Sequence, residues 1–230
     1  MGIIPRSQLP LSLELPKGEV DAALFVTAAN ETAMAYLSQW QDWPAPYHSF
    51  NIYGPAGCGK SQIGAFLADR TKALIIDSLA EFERSLFENW DVIVLDGVSA
   101  EGDWSGDALF HFCNYLSETG KYALFLSEIP ISQLGFSLAD VRSRLRAIPS
   151  QEIHLPDDAL LRALFESYFH ERQCAVSEAV LDYIVARCDR SYEAVAQLVS
   201  AIDRESLAAK QAITIPLVRA VFEQKDRMSE

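Results

Sequence analysis

The sequence predicts an α/β fold in which a parallel sheet is sandwiched by helices and followed by a small helical domain. Three observations predict it. Short apolar runs at 73–77, 92–96 and 122–127 read as buried strands and alternate with stretches of helical spacing, the pattern of a parallel sheet covered on both faces. A glycine-rich segment, Gly54-Pro55-Ala56-Gly57-Cys58-Gly59-Lys60-Ser61, lies between the apolar run 50–53 and the amphipathic run 62–68. From Pro156 onward strand-like runs stop and four amphipathic stretches follow.

Residues 1–20 contain Pro5, Pro10 and Pro16 with little periodicity and read as an extended tail. Its Gln8-Leu9-Pro10-Leu11-Ser12-Leu13 places leucines on a flexible arm, which either packs on its own domain or docks in a partner's groove. Between 21 and 40, Leu24, Phe25, Ala33, Met34 and Leu37 are spaced as a turn entering an amphipathic helix, with Asn30 or Thr32 as its cap. After the glycine-rich segment come the strand 73–77, a helix over 80–90 with Phe82, Leu86 and Phe87 along one side, and the strand 92–96. A helix over 107–117, the strand 122–127 and a last short strand within 148–155 complete the α/β domain, 21–155. In the helical domain, 156–230, Asp157 caps a helix with Leu161, Leu164, Phe165, Tyr168 and Phe169 on one stripe. A second spans about 177–188, a third carries Val195, Leu198, Val199 and Ile202, and a fourth starts near Thr214 with Pro216 in its first turn.

Strand, G-x-x-x-x-G-K-S and helix make a phosphate cradle: the glycines let successive N–H groups point inward, and the positive helix end faces the same concavity. Pro55, Ala56, Gly57, Cys58, Gly59 and Gln62 are the backbone of that cradle, Lys60 reaches for outer phosphates, and Ser61 offers its hydroxyl to Mg²⁺. Asp96 ends a buried strand at the carboxyl edge, where ligands of open α/β sheets bind, and is placed to hold the ion through Ser61 and water. A helix-cap or turn aspartate is the alternative. Gly97 stands where ATPases commonly carry the acid that positions the attacking water, so slow or absent hydrolysis is expected. Glu101 and Asp103 are close in sequence, but nothing there places them on a phosphate. Ser127 either contacts a γ-phosphate or starts a loop. Arg142, Arg144 and Arg146 make a local basic spot that serves either surface salt bridges or a phosphate, including one on a neighbouring protein.

The 230 residues carry a formal net charge of −13, which argues against direct nucleic-acid binding and fits protein partners or small phosphorylated ligands. Cys58, Cys113, Cys174 and Cys188 lack C-x-x-C spacing and read as reduced thiols, with Cys58 expected to have a lowered pKa beside a helix N-terminus. His48, His111, His154 and His170 have no metal-ligand spacing. With no apolar leader and no run of membrane-spanning length, a soluble cytoplasmic protein is expected.

In this order the segments resemble the AAA+ ATPases, specifically their DnaA/Hda branch. Phe25-Val26-Thr27 with Asn30 and Ala33 is similar to the segment that touches adenine in DnaA-type initiators. Asp140-Val141-Arg142-Ser143-Arg144-Leu145 resembles the box carrying the arginine finger, which falls on Arg144. Ile202-Asp203-Arg204-Glu205-Ser206 and Ile213-Thr214-Ile215-Pro216 match the end of the Hda lid, and Gln8-Leu9-Pro10-Leu11 resembles the motif with which Hda binds the sliding clamp. The resemblance implies a P-loop domain with a lid, and a site holding ADP or ATP, with Mg²⁺. It implies DnaA and the DNA polymerase III sliding clamp as partners, the clamp through Gln8, Leu9 and Leu11, with a homo-oligomer left open. No counterpart of DnaA's C-terminal DNA-binding domain is expected. The lid's nucleotide-sensing arginine falls on Glu193, with Arg190 a turn earlier, and Glu128 replaces an aspartate in the sensor loop. The function implied is activation of ATP hydrolysis by DnaA in trans. An active ATPase or kinase, or an adaptor for another replication protein, is the alternative.

Overall fold

The computed structural model describes residues 25–229; the expected tail, with Gln8, Leu9 and Leu11, lies outside them. Five strands, β1 (Ser49–Tyr53), β2 (Ala73–Ile76), β3 (Val92–Val98), β4 (Tyr122–Ser127) and β5 (Ser150–Glu152), form one sheet in the order β2-β3-β4-β1-β5. Every pairing is parallel. Because β4 lies between β3 and β1, the loops leaving these three strands open side by side at the carboxyl edge. A crevice forms there.

The period-two alternation of the strands divides the core. Ile93, Leu95, Ala123 and Phe125 face α3 (Gly106–Thr119) and α4 (Ala139–Arg146). Phe50, Ile52, Val94, Leu124 and Leu126 face α1 (Glu31–Ser38) and α2 (Lys60–Arg70). A second core is built by α5 (Asp158–Glu171), α6 (Glu178–Val185), α7 (Tyr192–Ala209) and α8 (Ile215–Ser229) around Leu161, Phe165, Ile184, Val195 and Val199. Each such side chain contributes about 1.5–3 kcal/mol by leaving water. As expected, Asp157 caps α5, its carboxylate accepting from Leu160 N at 2.8 Å.

Several elements differ from the sequence reading. The helix expected over 80–90 is only a single 3-10 turn at Arg84–Leu86. Leu79 is held beside Trp104 by backbone bonds to Asp103 and Ser105, which draws the segment into an extended path. Phe87 is then buried while Leu86 is 54% exposed, so no continuous apolar face exists. Strand β2 is the sheet's edge, with Ile75 exposed, and is not enclosed on both sides. The last strand is three residues long, and β3 continues past Asp96 through a register shift at Gly97. Asn30 stands at the N-cap of α1, yet its side chain turns backward: Oδ1 accepts from Thr27 N and Nδ2 donates to Phe25 O, both at 2.9 Å. No helix among the described residues is long and apolar enough to cross a membrane.

Candidate functional site

Strand β1 delivers the chain to Gly54, the loop turns, and α2 begins at Lys60. Gly57 and Gly59 have φ of 78° and 101°, a left-handed backbone that suits glycine. They also admit a close neighbour. A Cβ on Gly59 would stand 2.4 Å from the Tyr192 ring, and one on Gly57 would stand 2.6 Å from Ser191 Cβ. Tyr192 N donates to Gly57 O at 3.2 Å, so the start of α7 rests directly on the loop. The first N–H groups of α2, on Lys60, Ser61 and Gln62, have no intrahelical acceptor and are available to an anion.

Lys60 Nζ donates to Gly54 O at 2.7 Å and Pro55 O at 2.9 Å, which holds the ammonium at the mouth of the loop. The adjoining cavity, about 860 Å³, is lined by Ala56, Gly57, Lys60, Ser61 and Asp96, and also by Glu101 and Glu128. Ser61 is exposed and Asp96 half-buried. A hydroxyl, a carboxylate, an ammonium and orphan N–H groups around one space fit a nucleotide polyphosphate with its Mg²⁺. When bound, the ion supplies charge neutralisation. Lys60 and the loop amides would orient the phosphates, and Ser61 with Asp96 would hold the metal.

Sequence spacing did not place Glu101 here. Gly97 has φ of 79° at the register shift, and beyond it Ser99 Oγ donates to Glu101 O at 2.6 Å and accepts from Glu101 N at 3.3 Å. That turn folds Glu101 back to the cavity. A bulge followed by a serine turn is a signal visible only in part from the sequence. With Glu128 and Asp96, three carboxylates face one ammonium, so a polyphosphate enters more favourably with a divalent cation than alone.

Of the two readings for Ser127, the loop reading holds. It is fully buried, donates to Ile129 O at 2.7 Å and accepts from Asn51 Nδ2 at 2.9 Å. Asn51, which sequence reasoning missed, is also fully buried, and its Oδ1 accepts from Ile131 N at 3.1 Å. It fixes the loop that carries Glu128. The expected lowering of the Cys58 pKa is overturned: the thiol lies under the loop, 4% exposed, and burial pushes it up, with Lys60 offsetting only part. Phe25 packs against the helical core and Val26 against the α/β core, so they span the seam between the two. Arg190 does not stand free to take a sensing role. It donates to Pro156 O at 3.1 Å and pairs with Asp158 at 2.5 Å, while Glu193 accepts from Gln197.

Arg144 lies elsewhere. Its Nη1 donates to Tyr47 Oη at 3.2 Å, and its guanidinium sits 4.5 Å from the centre of the Phe110 ring. Tyr47 precedes β1, whereas the cradle follows it, and Arg144 is not among the residues lining the cavity. Arg142 donates to Phe136 O and Ser137 O, and Arg146 is exposed. None of the three arginines pairs with a carboxylate among the described residues, which gives the salt-bridge reading no support there.

Residues 157–222, spanning α5 to α8, match the family described as Hda, lid domain. The helical part of the chain is thus similar to an Hda lid. The chain's fold is similar to that of domain III of the replication initiation protein DnaA from Thermotoga maritima, with a TM-score of 0.74, 16% identity, and 86% of this chain and 93% of that one covered. AMPPCP-bound DnaA from Aquifex aeolicus gives a TM-score of 0.64 at 18% identity, covering 90% and 68%. The RuvB Holliday junction branch migration motor of Thermotoga maritima gives 0.60 at 15% identity, covering 84% and 68%. An uncharacterized protein of Haemophilus influenzae (strain ATCC 51907 / DSM 11121 / KW20 / Rd) is 23% identical over 229 residues, 91% of this chain and 97% of that protein. The stretch that matches the Hda lid thus rests on the glycine-rich loop through Ser191 and Tyr192.

Proposed function

We propose that this chain regulates replication initiation by holding a nucleotide in its own cradle while Arg144 completes the ATP site of DnaA in trans. The observation that carries the reading is the placement of Arg144: half-exposed, without a carboxylate partner among the described residues, and outside the cavity at its own phosphate loop. An arginine outside its own chain's cavity suits the phosphate of another protein, and the match to an Hda lid favours DnaA as that partner. Arginine fingers are worth about 10³–10⁵ in rate where they act.

In this reading ADP occupies the chain's own site, with adenine against Phe25 and Val26 at the seam between the cores and Mg²⁺ on Ser61 and Asp96. Three carboxylates in the cavity oppose the additional charge of a γ-phosphate, in keeping with ADP. The tail docks on the sliding clamp through Gln8, Leu9 and Leu11, and the α/β domain gives way to the lid at Pro156. A pull-down with the clamp and with DnaA tests the assembly: both are retained by the wild type, and the clamp alone is lost on Gln8→Ala with Leu9→Ala. Retention of another replication protein with no DnaA would point to an adaptor instead.

A second reading, hydrolysis by this chain itself, is favoured by Glu101, a carboxylate in the cavity that could orient water in place of the acid replaced by Gly97. Single-turnover hydrolysis by the isolated chain at ordinary ATPase rates, lost on Glu101→Gln, would establish it.

A further inference from the structure

We infer that Tyr47 and Phe110 are positioning residues that hold the Arg144 guanidinium ready for a second protein's phosphate. The inference rests on the trans-acting role proposed above and adds how the arginine is presented. A free arginine side chain explores many rotamers, and freezing it on contact with a partner costs part of the binding free energy. Here the freezing is done in advance. The Tyr47 hydroxyl oxygen accepts a hydrogen bond from Nη1 at 3.2 Å and the Phe110 ring covers one face at 4.5 Å, leaving the remaining donors of the five-donor fork for a phosphate.

The support is rigid on each side. Tyr47 is buried, and its carbonyl accepts from Ser49 Oγ at 2.7 Å. Phe110 stands on α3, whose neighbours Leu109 and Phe112 are fully buried, and Arg144 on α4, anchored by Val141 and Leu145, also fully buried. The chemistry of the two partners matters as much as their placement. A carboxylate would orient the guanidinium equally well but would neutralise it. A phenol and a phenyl ring orient it and leave its charge for the phosphate. In a chain of net charge −13, the absence of a carboxylate partner for this arginine among the described residues sets it apart from a purely structural one.

The test measures hydrolysis of ATP bound to the cognate DnaA, with the full chain and clamp-loaded DNA, for Tyr47→Phe, Phe110→Leu, Arg144→Ala and the wild type. Folding is checked by circular dichroism. Tyr47→Phe removes one oxygen, and Phe110→Leu keeps an apolar side chain without the ring face. Each is expected to lower the maximal stimulated rate about 3–10-fold, the effect of one hydrogen bond or cation–π contact. The chain concentration giving half-stimulation should stay within about twofold, because positioning acts on the rate and not on docking. In the chain alone, NMR of the Arg144 guanidinium should show restricted rotation that Tyr47→Phe releases. Wild-type rates from both variants, with Arg144→Ala inactive, would overturn the positioning role while sparing the finger. A shift confined to half-stimulation would overturn it too, making the pair an interface contact. Full stimulation by Arg144→Ala would overturn the functional reading itself.

Discussion

Replacing Asn51 by Ala would loosen the wall of the cavity beside the glycine-rich loop from inside the sheet. Asn51 Nδ2 donates to Phe125 O at 3.0 Å and Ser127 Oγ at 2.9 Å, and its Oδ1 accepts from Ile131 N at 3.1 Å, all without exposure. Two to three hydrogen bonds are lost at about 1 kcal/mol each, and the orphaned Ile131 N–H adds about 1–3 kcal/mol. The total, about 3–6 kcal/mol, is a large part of the 5–15 kcal/mol typical of a folded chain. Urea unfolding followed by tryptophan fluorescence should show a lower midpoint, and amide exchange should quicken over 128–134, the stretch carrying Glu128 and Ile129. Asn51→Leu restores volume but leaves the same N–H orphaned, so it should do no better. A loss below about 1 kcal/mol, or recovery of most of it by Leu, would refute the hydrogen-bond account and leave packing as the cause.

Other consequences follow from the same site. ADP with Mg²⁺ at about 100 times its Kd should stabilise the wild type by about 2.7 kcal/mol and leave Lys60→Ala unshifted; equal stabilisation of both would place the nucleotide elsewhere. Gly59→Ala combines a φ of 101° with a Cβ 2.4 Å from the Tyr192 ring. It should cost at least about 1–2 kcal/mol in backbone strain and weaken ADP binding; a neutral melt and unchanged affinity would contradict the close packing of lid on loop. Burial raises the Cys58 thiol above its ordinary value, so less thiolate exists at a given pH. Alkylation at pH 8 should be slower than for a free cysteine and should climb as pH rises, and rapid modification at neutral pH would reverse that reading.

Much of the fold was legible because its signals are local. The glycine-rich segment, the buried runs at β3 and β4 and the Asp157 cap each depend on a few neighbouring residues, and the structure has them in place. The segment 80–90 failed because Phe82 and Phe87 stack on each other and pack against Tyr115 and Phe112 of α3, while Leu79 pairs with Trp104, and none of these contacts is visible in a helical wheel. Glu101 reaches the cavity only through the Gly97 bulge, and Ser127 is turned inward by Asn51, a residue 76 positions away. Cys58 shows the same limit in electrostatics: proximity to a helix end is read from sequence, while the burial that outweighs it is a tertiary property. Arg144 was found as part of a basic spot, but Tyr47 and Phe110, at separations of 97 and 34 residues, come to it only through the packing of α3 and α4 and the approach to β1.

The most direct test of the account is the rate at which ATP bound to DnaA is hydrolysed when wild-type chain, Arg144→Ala or Arg144→Lys is added with clamp-loaded DNA. Stimulation by the wild type, its loss in Arg144→Ala and only slight recovery in Arg144→Lys, with all three chains still binding ADP, is the predicted result. Undiminished stimulation by Arg144→Ala, or none by the wild type, would contradict it.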